Sequence, residues 1–152
     1  MEAAELPTAR PQKYAPRPLE IVYGTSPAAG ANFSQTSPGR PGWVLVAVLF
    51  RLVTDANVAD RAVTVEYDDG NGQLFGQNGI GAVVAASTTE TFAFQANVGQ
   101  AAWNTGGQAF APLFPVAFLP GQLLKITVAN KQAGDQLDRI VLVFERPEYA
   151  AS

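Results

Sequence analysis

The sequence predicts an all-β chain: an antiparallel β-sandwich, jelly-roll-like, with an extended N-terminal arm. Three observations predict it. Apolar residues recur with a period of two in several short runs. Gly, Asn, Asp and Pro separate those runs. No stretch holds a helical period for more than a turn or two. With 152 residues, 14 Gly and 11 Pro, the chain is long enough for one domain with a real core and rich in turn formers. The one candidate helical segment is a single turn at ANVAD.

Residues 1–42 are expected to form an extended Pro/Gly-rich arm and irregular segment, and residues 43–152 the sandwich domain. In the arm, Pro7, Pro11, Pro16 and Pro18 block helix and favour extended or polyproline backbone. LEIVYG could form a short strand within this region. From Trp43 the pattern changes. WVLVAVLFRLVT is rich in Val, Leu and aromatics. RAVTVEYD alternates, with Val63, Val65 and Tyr67 on one face. DDGNG is a turn signal. IGAVVAAS reads as a strand, with GQNGIG before it as a flexible loop. ETFAFQAN places Phe92, Phe94 and Ala96 together. FAPLFPVAFLPG is apolar but cut by prolines, so it is an edge strand or packed loop. QLLKITVAN turns Leu124, Ile126 and Val128 inward, and DRIVLVFER does the same with Ile140, Leu142 and Phe144.

WVLVAVLFRLV, residues 43–53, is too short to cross a bilayer as a helix, which takes about 20 apolar residues. As a strand it is apolar on both faces. Val44, Val46, Val48, Phe50 and Leu52 form one face. Trp43, Leu45, Ala47, Leu49 and Val53 form the other, interrupted by Arg51. A sandwich core satisfies one face of a strand. The uninterrupted face is expected to be the core. Trp43, Leu45 and Leu49 are then a candidate interface, covered by the chain's own arm, by the 98–121 segment or by another subunit. Val141 and Val143 repeat this two-faced pattern more weakly. Arg51 must reach solvent or a carboxylate.

Composition removes several functions. The chain has no Cys and no His, which removes disulfides, thiolate nucleophiles, Cys/His zinc sites and His-based acid–base catalysis. A net charge of -3 with scattered basic residues is wrong for a nucleic-acid partner, and nothing points to a membrane partner. Charged residues are only 15% of the chain, against roughly 25% on average, as expected if part of the surface meets protein. The acidic, Pro-rich N-terminus does not read as a signal peptide, so synthesis and use without passage through a secretory pathway are expected.

Carboxylates are the remaining chemistry. Glu66, Asp68 and Asp69 with Asn71 gather near one turn, but their spacing is not that of a calcium loop, and a hairpin turn is the default reading. Asp55, Asp60 and Arg61 flank a connection and are read as caps or an ion pair. In AGDQ, Gly134 is read as tolerating positive φ and Asp135 as bonding its own backbone. No nucleophile elbow, phosphate loop or zinc motif occurs. No catalytic residue, metal site or cofactor is therefore assigned. Trp103, Phe110, Phe114 and Phe118 could form a sugar-binding platform, the basis of an alternative reading as a carbohydrate-binding β-sandwich module.

The long apolar strand followed by TDANVADR and an alternating strand, then LPG, a strand ending in Asn, AGDQ and a last strand ending in acidic residues, resembles small β-sandwich virion structural proteins of tailed bacteriophages. The resemblance spans about residues 43–146. It implies a non-enzymatic component of the virion, a capsid decoration or head-associated protein. It also implies self-association into a homo-oligomer and contact with other virion proteins, the major capsid protein among them. The arm would then dock on neighbouring subunits, adding Pro7, Pro11, Tyr14 and Pro16 to the candidate interface.

Overall fold

The computed structural model describes residues 18–37, 43–96, 102–104 and 108–146. Pro7, Pro11, Tyr14 and Pro16 lie outside them. Eleven strands run β1 Leu19–Tyr23, β2 Phe33–Thr36, β3 Val44–Val53, β4 Arg61–Asp68, β5 Leu74–Val84, β6 Thr89–Gln95, β7 Ala102–Asn104, β8 Gln108–Pro112, β9 Val116–Ala117, β10 Leu123–Ala129 and β11 Gln136–Glu145. The larger sheet has the order β1-β11-β3-β6-β8-β7, with β9 also paired to β3; the smaller has the order β2-β10-β4-β5. Successive strands cross repeatedly between the sheets. The four-strand sets β1-β11-β3-β6 and β2-β10-β4-β5, antiparallel throughout, are the double Greek key of a jelly roll. Strands β7 to β9 are an insertion before β10, and β8 joins β6 in parallel.

The core lies where the alternating strands converge. Val63, Val65 and Tyr67 of β4, Phe92 and Phe94 of β6, Leu124, Ile126 and Val128 of β10, and Ile140, Leu142 and Phe144 of β11 are all buried, as their spacing predicts. Phe50 stacks between Phe92 at 5.1 Å and Phe94 at 5.9 Å.

Three sequence expectations are corrected. The sandwich does not start at Trp43. β1 pairs with β11, β2 pairs with β10, and Phe33 is buried in the core. The short polar strand FSQT carries too little apolar signal to be read as a strand alone. Residues 76–81, GQNGIG, belong to β5, not to a loop: Gly76 sits opposite Tyr67, where a Cβ would come within 2.8 Å of the ring. Glycine there serves close approach. The ANVAD segment is irregular, without a helical turn.

Candidate functional site

The two outer faces of the sandwich differ in character. Across the smaller sheet, register places Ser34, Lys125, Glu66 and Gln77 in one row, with Thr127 beside Thr64 in the next. Thr127 donates to Glu66 Oε2 at 3.0 Å. This is an ordinary solvated face. Across the larger sheet, one row reads Tyr23, Val141, Leu49, Ala93 and Phe110, and the next reads Ile21, Val143, Ala47, Gln95 and Pro112. Nine of these ten residues are apolar. Tyr23 is 77% exposed and Ile21 54%, while Val141, Leu49 and Phe110 are half-buried. Ala47 and Ala93 are nearly covered, at 8% and 7%. Among the described residues the two sheets are the only strand layers, and neither packs over this face.

The polar groups on this face neutralise each other. Arg51 donates from Nε and Nη2 to Asp138 Oδ1 and Oδ2, at 2.8 and 2.6 Å. The fork raises the Arg51 pKa and holds the Asp138 carboxyl below its usual range. Arg51 therefore reaches a carboxylate, as its place on an apolar strand requires, and the pair adds no net charge to the face. An apolar centre with paired charges at its rim is the anatomy of a protein interface.

The expected division of β3 is corrected by a bulge. Pairing steps from Val143–Ala47 to Phe144–Leu45, so Val46 has no opposite residue. An extra residue reverses the parity of everything before it. From Val48 onward the alternation holds: Val48, Phe50 and Leu52 are buried, and Leu49 faces out. Before Val46 it inverts. Leu45 is fully buried in the core, so it is not an interface residue, and Val44 and Val46 are not core residues. Trp43 also turns to the core side, against Phe144 at 6.2 Å and under the Arg146 guanidinium at 5.1 Å. Of Trp43, Leu45 and Leu49, Leu49 alone lies on the outer face. Alternation could not reveal this, because a bulge has no local signal in an all-apolar run. Ile21, Tyr23, Val141, Val143, Ala47 and Ala93 complete the surface that the sequence indicates only in part.

The carboxylates are committed to structure. Asp68 is buried and accepts from Lys125 Nζ, from Gly70 N at 2.7 Å and from Gly72 N at 3.2 Å. These bonds, Lys125 foremost, lower its pKa. Asp69 Oδ1 accepts from Asn71 N and Gln73 N, closing the hairpin. Among the described residues no group of three or more acidic side chains is placed to hold a metal.

TDANVADR and AGDQ meet in space. Arg61 is fully buried and donates to Asp135 Oδ2 at 2.9 Å and Oδ1 at 3.0 Å, to Asp55 Oδ1 at 2.8 Å and to the Ala59 carbonyl at 2.7 Å. Asp135 also accepts from the backbone of Asp55 and Gln132, and Asp55 from that of Asn57 and Gly134. The cluster ties the β3–β4 connection to the β10–β11 turn. The φ of Gly134 is not positive. A Cβ there would instead strike the Asp55 carboxylate at 2.8 Å, which corrects the turn-based reading of this glycine.

Of the suggested sugar platform, Phe110, Phe114 and Phe118 do not gather, and the side chain of Trp103 lies outside those described. Phe118 is buried in the core and Phe114 is 71% exposed, while Phe110 lies on the outer face of the larger sheet.

No protein-family pattern matches the chain, and no curated protein matches it. Among solved structures, the Tobacco streak virus coat protein dimer aligns with a TM-score of 0.41 and 12% identity, over 88% of this chain and 93% of that one.

Proposed function

We propose that this chain is a non-enzymatic virion structural protein, a capsid decoration or head-associated protein. It acts by self-association and by docking its N-terminal arm on neighbouring subunits, with the major capsid protein as a further partner. One observation supports this reading above the others: the two contiguous, largely apolar rows on the outer face of the larger sheet. Contiguous apolar surface of this kind marks interaction sites on soluble proteins. The sequence resemblance to phage virion β-sandwich proteins points the same way. The carbohydrate-binding alternative has less support, because Phe118, Phe110 and Phe114 are split between the core, the outer sheet face and an exposed segment.

Sedimentation across a concentration series tests the reading. The wild type should form a discrete oligomer, and Val141→Glu, between Tyr23 and Leu49 on the face, should remain folded and monomeric. A wild type that stays monomeric at millimolar concentration overturns self-association through this face.

A further inference from the structure

Away from the outer face, a cleft of about 460 Å³ opens at the mouth of the sandwich between the β4–β5 pair and the Phe114–Ala117 segment. Tyr67, Phe75, Phe114, Pro115 and Val116 line it. Phe75 and Phe114 are 46% and 71% exposed. The aromatic wall is braced from behind: Tyr67 stacks on Phe75 at 6.0 Å and meets Phe118 edge-on at 5.6 Å. Asn78 Oδ1 accepts from Tyr67 Oη and from Phe114 N, both at 3.0 Å, which fixes the segment bearing Phe114. The outer edge of β5 runs alongside, since among the described residues β5 ends the smaller sheet.

An aromatic cleft with a proline in its wall suits an extended, proline-containing peptide. Such a peptide is stiff before it binds and loses little entropy on docking. The chain carries one close by: residues 13–18 read KYAPRP. Register gives the distance. Leu19 pairs with Glu145, Glu145 with Val44, and Val44 with Ala117. Leu19 is thus three strand spacings, about 14 Å, from the cleft wall. Residues 14–16 lie three to five positions before Leu19, a reach of roughly 10–17 Å when extended.

We propose that this cleft is the seat of the chain's own Tyr14–Pro16 segment, anchored there so that residues 1–11 leave the subunit in a fixed direction. The inference rests on the arm-docking part of the reading above and adds the anchor from which the arm departs. Anchoring removes most of the conformational freedom that a strap would otherwise lose when it meets its partner.

The absence of native cysteine makes the test direct. Ala15→Cys with Val116→Cys, at a residue that lines the cleft, in the full chain under mild oxidation, should give a disulfide within one monomer, seen as faster migration on a non-reducing gel. Ala15→Cys with Ser34→Cys, on the outer face of the smaller sheet, should not. Adding Phe114→Asp to the first pair, at a residue exposed enough to leave the fold intact, should slow bridging at least tenfold. Failure to bridge, equal bridging to position 34, or disulfide-linked dimers in place of bridged monomers would each overturn the anchor. The dimer outcome would assign the cleft to a second copy's arm. Bridging by a protein that remains monomeric at millimolar concentration would keep the anchor and sink self-association instead.

Discussion

Arg61 and Asp135 form an ion pair with both side chains fully screened from water, at 0% exposure each. The pair is satisfied because further donors and acceptors surround it. The Ala59 carbonyl takes Nη1, Asp55 shares Nη2, and two backbone amides reach Asp135. Burial alone would raise the Asp135 pKa, but the Arg61 bond and the backbone donors outweigh it and hold the carboxyl below its usual range. Asp135→Asn should therefore lower Tm by on the order of 10 °C, because it leaves a buried guanidinium without its main counter-charge. Arg61→Met with Asp135→Leu should cost less than the sum of the single changes, measured by thermal unfolding as a double-mutant cycle. Additive losses would mean that the two groups do not act as a pair. Since the folded pKa is depressed, this stabilisation is complete above the unfolded value near 4. It drains away as pH falls below that value toward the folded pKa.

Gly134→Ala attacks the same cluster without touching a charge. The added methyl would lie 2.8 Å from Asp55 Oδ2 and 2.9 Å from its Cβ, so the carboxylate must withdraw from Arg61 and from the Gly134 amide. A loss of about 1–3 kcal/mol in denaturant unfolding is expected, as for other overpacked sites. An unchanged midpoint would show that the connection can move aside freely.

How much of this was legible beforehand depended on periodicity. The inward residues of β4, β10 and β11 follow from strict alternation, and so does the sandwich. An ion pair at Asp55 and Arg61 was legible from their closeness in sequence, but the other partner of Arg61 and that of Arg51 were open only as a need, because Asp135 and Asp138 are 74 and 87 positions away. The bulge at Val46 was hidden because every residue around it is apolar, so a parity change leaves no polar mark. β2 was missed for the opposite reason: FSQT has a single buried anchor, Phe33, and owes its place to pairing with β10.

Glu90 has the opposite pH sign from Asp135. It lies on the core side of β6 at 7% exposure, and its Oε1 has no partner. Burial raises its pKa above the ordinary carboxylate value. The folded state therefore holds this proton more tightly than the unfolded state. The penalty is complete above the folded pKa and is relieved as pH falls through it toward the unfolded value near 4.3. Glu90→Gln should raise Tm at pH 7, and the gain should shrink as pH is lowered through the weakly acidic range. A gain that does not vary with pH would show that Glu90 is not titrating in the folded protein.

Val48 and Leu49 are adjacent on β3 and belong to different environments. Val48 is fully buried opposite Leu142 and Phe94, while Leu49 faces outward between Val141 and Ala93. Asp at position 48 would place an unpaired charge in the core, a cost that exceeds the typical stability of a domain. Val48→Asp should not fold, and circular dichroism should show an unfolded chain. Leu49→Asp puts the same charge on the outer face, where half-burial lets water reach it. It should fold with little change in Tm as a monomer yet fail to assemble, as read by sedimentation alongside the spectra. The bulge adds a third arm. Leu45→Asp must behave like Val48→Asp, although simple alternation groups Leu45 with Leu49. If Leu45→Asp folds and only assembly is lost, the parity change at Val46 is wrong and the interface extends to the start of β3. If Leu49→Asp unfolds together with Val48→Asp, the outer face is covered within the subunit, and the large sheet is not its assembly surface.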